Sequence, residues 1–481
     1  MLKRRVHISW LIALASLCFV IGVCLASIVR WPLFAEWWML VIAALVGGFA
    51  LWRQRLAFIP LVIIGGVVFG LWRGSLLTQD LRAYQTFYGQ QVKVSGFVRD
   101  DPVLNQSGLL NLEISRVAVG ELRLPGVVRA SVAKESDVKR GDKVVVSGEL
   151  DEGFGTFPAS MFRAKIISVA RSPTADPGRV VRDWFGEAVR TAISEPQASL
   201  GLGYLLGQKS ALPSDLAEAL QIAGLTHIVV ASGYNLTILV RLSRRLFIKY
   251  SKYLATFASS LMIASFVMIT GLSPSMSRAG LVASLSLASW YYGRRFHPFV
   301  LLPFAAAITV AFEPSYAWGD LGWQLSFSAF AGVMIVAPLL QRFFFGDKTP
   351  GVLRQILGET VAAHIVTVPI VLLSFGLLSN VAIPANILIV PLVPLAMLLT
   401  FVTGVVALAL PLAGSMIGTP TEWLLTYMTT IAEFAADLPW AQTELKLEWW
   451  AGLIYYALLA GACWYMWWRT KYDLREVSLI D

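Results

Sequence analysis

Apolar and polar positions along this chain fall into three regimes. Residues 8–29, 37–51 and 57–72 are nearly unbroken apolar runs, and a helix needs ~17–25 such residues to cross a bilayer. Residues 84–171 instead alternate in short stretches: Q-V-K-V-S-G-F-V, L-L-N-L-E-I, V-V-R-A-S-V and D-K-V-V-V-S-G-E-L. They are punctuated by D-D-P-V-L-N-Q-S-G and K-R-G-D. Period-two alternation between turn signals predicts a small antiparallel β domain. About five strands in this length suit a small barrel of OB type, with a sandwich as the alternative. Long apolar runs return at 223–240, 254–271, 279–292, 298–311, 321–340, 361–378, 383–410, 421–438 and 449–468. The pattern predicts an α-helical polytopic membrane protein of about a dozen spans with an inserted small β-barrel domain.

Five segments follow: a three-span membrane segment (1–73), the OB-like domain (84–171), a connector (179–222), a membrane core (223–468) and a tail (469–481). In the connector, residues 179–190 place Val181, Trp184, Phe185 and Val189 on one side of a helix, which predicts an interfacial helix under the β domain. Residues 199–207 are apolar and Gly-studded but too short to span, which suits a re-entrant piece. Residues 213–222 read as a short amphipathic helix with Pro at its start.

Charge sets the orientation. Lys3, Arg4 and Arg5, then Arg53 with Arg55, the basic block 241–252, and loops 293–295, 342–354 and 469–471 fall on one side of the predicted spans. The acidic loops 313–320 and 444–448 fall on the other. Basic loops stay inside, so both termini are expected in the cytoplasm and the β domain on the far side of the membrane. A net charge of +9 is required for orientation anyway and by itself says little about nucleic acid. Cys18, Cys24 and Cys463 sit in apolar runs and read as small buried hydrophobes. No Cys/His spacing suggests a metal site, and no cofactor or nucleotide motif is present.

The stretch 223–240, A-G-L-T-H-I-V-V-A-S-G-Y-N-L-T-I-L-V, carries His227, Ser232, Gly233, Tyr234 and Asn235 in its middle. Polar groups at bilayer depth face protein or a water-filled path, and Gly233 weakens the helix there. The stretch reads either as a bent span lining a cavity or as a helix whose small and polar residues pack against neighbours. Further candidates lie downstream. Arg278 suits Asp320, Glu359 or a phosphate as partner, or snorkels to the headgroups. Gln324 and Ser326 suit a wet interior or an interhelical bond. Asn386, between Pro384 and Pro391, suggests an irregular segment, and His364 lies near Pro369. In the β domain Lys93, Arg99, Arg129, Lys143 and Phe97 are the candidates for contact with a nucleic acid strand. Acidic residues nearly balance the basic ones there, and the aromatics serve equally as barrel filling.

G-L-T-H-I-V-V-A-S-G-Y-N resembles the signature of the ComEC competence family, inner-membrane channels for transforming DNA. That family usually reads Ser-Gly-x-His, and Asn235 stands at the His position. An Asn does not titrate as an imidazole does. Similar order continues downstream. G-L-S-P-S-M-S-R-A-G (271–280) resembles the family's P-S-x-x-R-A element, and W-G-D-L-G-W-Q-L-S-F-S-A-F (318–330) its F-Q-L-S-F-x-A element. Residues 364–378 with 384–392 resemble its closing part, and the β domain resembles its OB-like domain.

The resemblance implies a channel for single-stranded DNA during natural transformation, with no enzymatic activity of its own. The expected path is lined by His227, Ser232, Gly233, Asn235, Arg278, Asp320, Gln324, Ser326, His364 and Asn386. Its implied partners are the DNA strand, membrane lipid, a DNA receptor protein and a cytoplasmic motor ATPase. Many family members carry a C-terminal metallo-β-lactamase-like domain. No H-x-H-x-D-H run occurs here, so this chain is expected to be a short form that relies on a separate nuclease. A transporter of another anionic or lipid-linked solute is the alternative.

Overall fold

The structure, a computed structural model, describes residues 5–104, 107–133, 137–171, 176–208, 212–229, 233–271, 273–293, 297–346 and 351–472. Three helices, α1 (Ile8–Val29), α2 (Trp37–Arg53) and α3 (Ile59–Asp80), lead into five long strands. These are β1 (Gln90–Val98), β2 (Leu110–Val119), β3 (Val127–Val132), β4 (Lys143–Glu152) and β5 (Ala159–Ala170). Then come α4 (Pro177–Ala192), α5 (Gln197–Leu206), α6 (Ser214–Ile222), α7 (Thr226–Val229), α8 (Gly233–Phe247), α9 (Lys252–Thr270) and α10 (Pro274–Tyr291). The remainder is α11 (Pro298–Phe312), α12 (Tyr316–Gly319), α13 (Leu321–Ala331), α14 (Ala337–Phe345), α15 (Val352–Phe375), α16 (Ala382–Ile389), α17 (Val393–Ala409), α18 (Pro411–Ala436) and α19 (Trp449–Thr470). The chain divides into two compact units. One is Met1–Asp176 with Phe299–Gln324, the other Pro177–Pro298 with Leu325–Asp481.

In the first unit α1 and α3 pack through small residues. Gly66, Gly70 and Gly74 recur every fourth residue of α3, and a Cβ at any of them would run into α1. Without a hydrophobic driving force in lipid, such close backbone approach is what holds helices together. The barrel follows from period two: Val94, Val98, Leu112, Ile114, Val128, Val144 and Val146 point inward and are buried. Its strands close in the order β1–β2–β3–β5–β4–β1, antiparallel except for the parallel β3–β5 pair. Asp142, fully buried, accepts from the Lys139 backbone N–H and from Arg171 Nη2, both at 2.9 Å. Hydrogen bonds to Asp142 and Asp137 push the Arg171 guanidinium further above its usual range. That charged clamp ties the end of β5 to the turn before β4.

In the second unit α4 buries a mixed face, with two arginines beside Phe185 and Val189. On α4, Arg179 and Arg182 are 4% and 3% exposed while Val181 and Trp184 are 49% and 60% exposed. The helix therefore packs within the unit, and Val181 and Trp184 lie on the opposite face from Phe185 and Val189. An outward apolar face suits a lipid surround, where burying polar groups inside the protein is the cheaper arrangement. Helix α5, expected as a re-entrant piece, is buried along nearly its whole length.

Among the described residues, six helical stretches are long and apolar enough to cross a membrane: Ile8–Val29, Leu56–Thr86, Lys252–Thr270, Leu321–Phe345, Leu353–Phe375 and Ala382–Ala409. The expected dozen is thus met for six by length and composition; α2 and α11 are apolar but shorter. The run 383–410 is not one rod, because Pro391 falls in a 3₁₀ turn between α16 and α17. Another break of regularity, the π-helical turn Gly332–Val336, separates α13 from α14.

The α1–α3 contact gives a direct test. Gly70→Val should lower the unfolding midpoint of the purified protein, at a cost of about 1–3 kcal/mol or more for overpacking. Gly48→Ala, with nothing within 4 Å of the added Cβ, should leave the midpoint unchanged.

Candidate functional site

The polar stretch 223–240 is carried by two helices, α7 and α8. Helix α6 stops at Gly224, whose left-handed φ of 67° closes it with bonds from Gly224 N to the Gln221 carbonyl and from Leu225 N to the Leu220 carbonyl. This is a Schellman-type end, and it delivers His227 at the start of the site. On α8, Asn235 is fully buried and donates from Nδ2 to the Tyr204 carbonyl of α5 at 3.0 Å. Leu236 and Val240 share its packed side. Tyr234 is exposed and Arg241 half-buried.

His227, Tyr234 and Arg241 are spaced by seven residues, two helical turns, which aligns Tyr234 and Arg241 along one face of α8. Facing groups come from α15: Glu359 interacts electrostatically with both Tyr234 and Arg241, and His364 with His227. His227 is exposed. Helix α8 packs on α9 and α10 while α15 packs on α14, α16 and α19, and these polar groups of α7–α8 and α15 lie within electrostatic range of one another.

The α15 wall is shaped by Pro369, which has no N–H to offer the Ile365 carbonyl. Tyr455 Oη on α19 donates to that carbonyl at 2.9 Å, and Tyr456 Oη donates to the Val366 carbonyl at 2.9 Å. Thr367 Oγ1 bonds the Ala363 and His364 carbonyls. The backbone beside His364 is therefore satisfied by hydroxyls where the helix ladder is interrupted, as a spanning helix requires.

The other expected site residues are distributed as follows. Ser232 lies outside the described residues. Gly233 opens α8 beside Ala279 of α10, at 3.4 Å from where a Cβ would sit. Arg278 is 2% exposed, and its Nη2 donates to Ser275 Oγ at 2.9 Å. Asp320 accepts from Trp323 N and caps α13, which continues through Gln324 and Ser326, both half-buried. Asn386 lies within α16 rather than in an irregular segment. Its Nδ2 donates to the Ala382 carbonyl, and its buried Oδ1 has no hydrogen-bond partner among the described residues.

On the barrel, Lys93 and Lys143 are exposed, and Phe97 and Lys143 are cross-strand neighbours. Arg116 stacks 5.6 Å from the Phe97 ring, and Arg129 lies over Phe154 and Phe157 at 5.2 and 5.7 Å. Arg99 donates to Tyr316 Oη at 3.0 Å, so that contact already engages its guanidinium. Sequence reasoning did not single out Arg116, Arg241, or the tyrosines on α19. The seven-residue spacing from His227 was the available signal for Arg241.

The family model for the competence protein matches residues 204–470, more than half of the chain. The chain belongs to the competence protein family, of ComEC type. The match begins at Tyr204, the residue whose carbonyl holds Asn235. The chain is also 27% identical over 221 residues to ComE operon protein 3 of Bacillus subtilis (strain 168). That alignment covers 45% of this chain and 27% of the relative, so the relative is much the longer protein. No solved structure matches the chain. Family and apolar helices together describe a multi-pass membrane protein of the competence family.

Two faces of α8 predict opposite labelling. In otherwise cysteine-free protein, Tyr234→Cys should react with a hydrophilic maleimide in detergent at least about tenfold faster than Asn235→Cys. Equal rates would contradict the assignment of packed and open sides.

Proposed function

We propose that this competence family member is a channel through which single-stranded DNA enters the bacterial cytoplasm during natural transformation. The observation that carries the reading is the seam of His227, Tyr234 and Arg241 against Glu359 and His364, polar groups within helices of the family-matched region. A strand with one charge per phosphate needs weak, distributed contacts of this kind rather than one tight site. Of the lining expected from the sequence, Ser326 and Asn386 belong to the same proposal. In it Asn235 sets the orientation of α8 by its bond to Tyr204.

The barrel is, in this reading, an OB-type module outside the membrane. Support comes from its five-stranded Greek-key closure with one parallel pair and from arginines interleaved with Phe97, Phe154 and Phe157 on its surface. Helix α19 is proposed as a further span. Trp449 and Trp450 begin it and Trp464, Trp467 and Trp468 end it, all exposed, as interfacial aromatic belts require. Cytoplasmic termini follow from the basic loops. The chain acts as a conduit rather than a catalyst, with a DNA receptor outside and a motor ATPase inside as partners.

The test is uptake of labelled DNA by cells lacking the gene, complemented with wild type or Arg241→Gln at matched membrane abundance. Deletion should abolish uptake and wild type restore it. Arg241→Gln should lower uptake about tenfold, equivalent to ~1.4 kcal/mol. Uptake that survives deletion would overturn the DNA reading and favour transport of another anionic solute.

A further inference from the structure

From Met1 to Asp80 the sequence holds two carboxylates, Glu36 and Asp80. The ends of α1, α2 and α3 that converge on Leu11, Ala50 and Val62 carry neither of them, and they carry Arg5, Arg53 and Arg55. Gln54, left-handed at φ 48°, ends α2 by donating its N–H to the Ala50 carbonyl. Its own carbonyl accepts from Val6 N at 2.8 Å. That turn lays Arg55 antiparallel against Arg5 in an isolated β-bridge. Residues paired in this way project to one side, with Cβ atoms about 5 Å apart. Arg53 Cζ lies 5.1 Å from the Trp52 ring centroid and 5.5 Å from that of Phe49. All three arginines are exposed.

Like charges placed opposite one another repel, and aromatic rings hold Arg53 without neutralising it. The bundle brings no counter-charge to this end. Glu36 precedes α2, whose 17 residues separate it from Arg55, and Asp80 closes α3 at the far end of its 22 residues. At ~1.5 Å per residue both carboxylates are roughly 25–30 Å away. Among the described residues Arg5, Arg53 and Arg55 form no ion pair. The location selects the anion that completes the arrangement. Ile8–Val29 and Leu56–Thr86 are both long and apolar enough to cross a membrane, and the arginines stand where each of them begins. Trp52, 74% exposed, lies beside them. An exposed indole and uncompensated cations at the mouth of two spans match the headgroup layer of a membrane.

We propose that Arg5, Arg53 and Arg55 form a binding site for the phosphate of anionic phospholipid headgroups. The bridge fixes Arg5 and Arg55 side by side, the Trp52 and Phe49 rings pre-set Arg53, and Trp52 itself lies among the headgroups. The site does not depend on the DNA reading; it requires only that α1 and α3 cross the membrane.

Photo-crosslinking of the full chain in bilayers of equal phosphatidylglycerol and phosphatidylcholine reads the site directly. One lipid or the other carries a diazirine high in its acyl chain, and labelled residues are mapped by peptide mass spectrometry. In wild type, residues 49–58 should be labelled by phosphatidylglycerol at least about tenfold more than by phosphatidylcholine. Arg53→Gln and Arg55→Gln, both at exposed positions, should each reduce that excess about fivefold. Arg123→Gln on the barrel should leave it unchanged. Equal labelling by the two lipids in wild type, or an undiminished excess in both variants, would overturn the assignment. So would loss of the excess on adding inorganic phosphate or a single-stranded oligonucleotide at constant ionic strength, because the cations would then serve a soluble anion.

Discussion

The hydrogen bond from Asn235 Nδ2 to the Tyr204 carbonyl decides how α8 sits in its unit. A buried amide must be paired, and leaving it unpaired costs about 1–3 kcal/mol. Satisfying it against α5 turns Leu236 and Val240 into the packed side and leaves Tyr234 and Arg241 on the open one. The placement of Tyr234 and Arg241 follows from that rotation. These are the groups that the Asn235 bond turns away from α5, α9 and α10.

The same demand for polar satisfaction explains the elements around it. Helix α4 turns Arg179 and Arg182 inward beside Phe185 and Val189, and Val181 and Trp184 outward. Helix α15 accommodates Pro369 because Tyr455 Oη on α19 donates to the Ile365 carbonyl that the proline leaves without its ladder bond. In the first unit, where α1 and α3 have few polar groups to match, glycines replace hydrogen bonds as the means of close approach. Each solution suits a surround in which water is scarce.

Much of this was legible in the sequence. Period-two alternation located the barrel, and the strands Gln90–Val98 and Lys143–Glu152 coincide with two of the alternating stretches. The motif around Gly233 and Asn235 identified the family. What hydropathy did not separate was span from apolar helix: α2 and α11 are apolar but short, and α19 carries Trp and Tyr where aliphatic residues would mark a span. The direction of Asn235 was also hidden, because a polar residue in an apolar run looks the same whether it faces a cavity or a neighbouring carbonyl. Residues 179–190 show the same limit. Their apolar stripe was evident, but which side of it faced the protein depends on the solvent around the helix. Arg116 and Phe97 are nineteen residues apart, and only the β1–β2 pairing brings them together.

The central claim is that the seam between α7–α8 and α15 is the path of the transported strand. The most direct measurement uses cells whose sole copy of the protein is otherwise cysteine-free and carries Tyr234→Cys. Uptake of labelled DNA is followed before and after reaction with a bulky hydrophilic maleimide, with Phe312→Cys, an exposed position at the end of α11, as the reference. The account predicts that modification at residue 234 blocks uptake and that modification at residue 312 does not. Undiminished uptake after complete modification of residue 234 would contradict it.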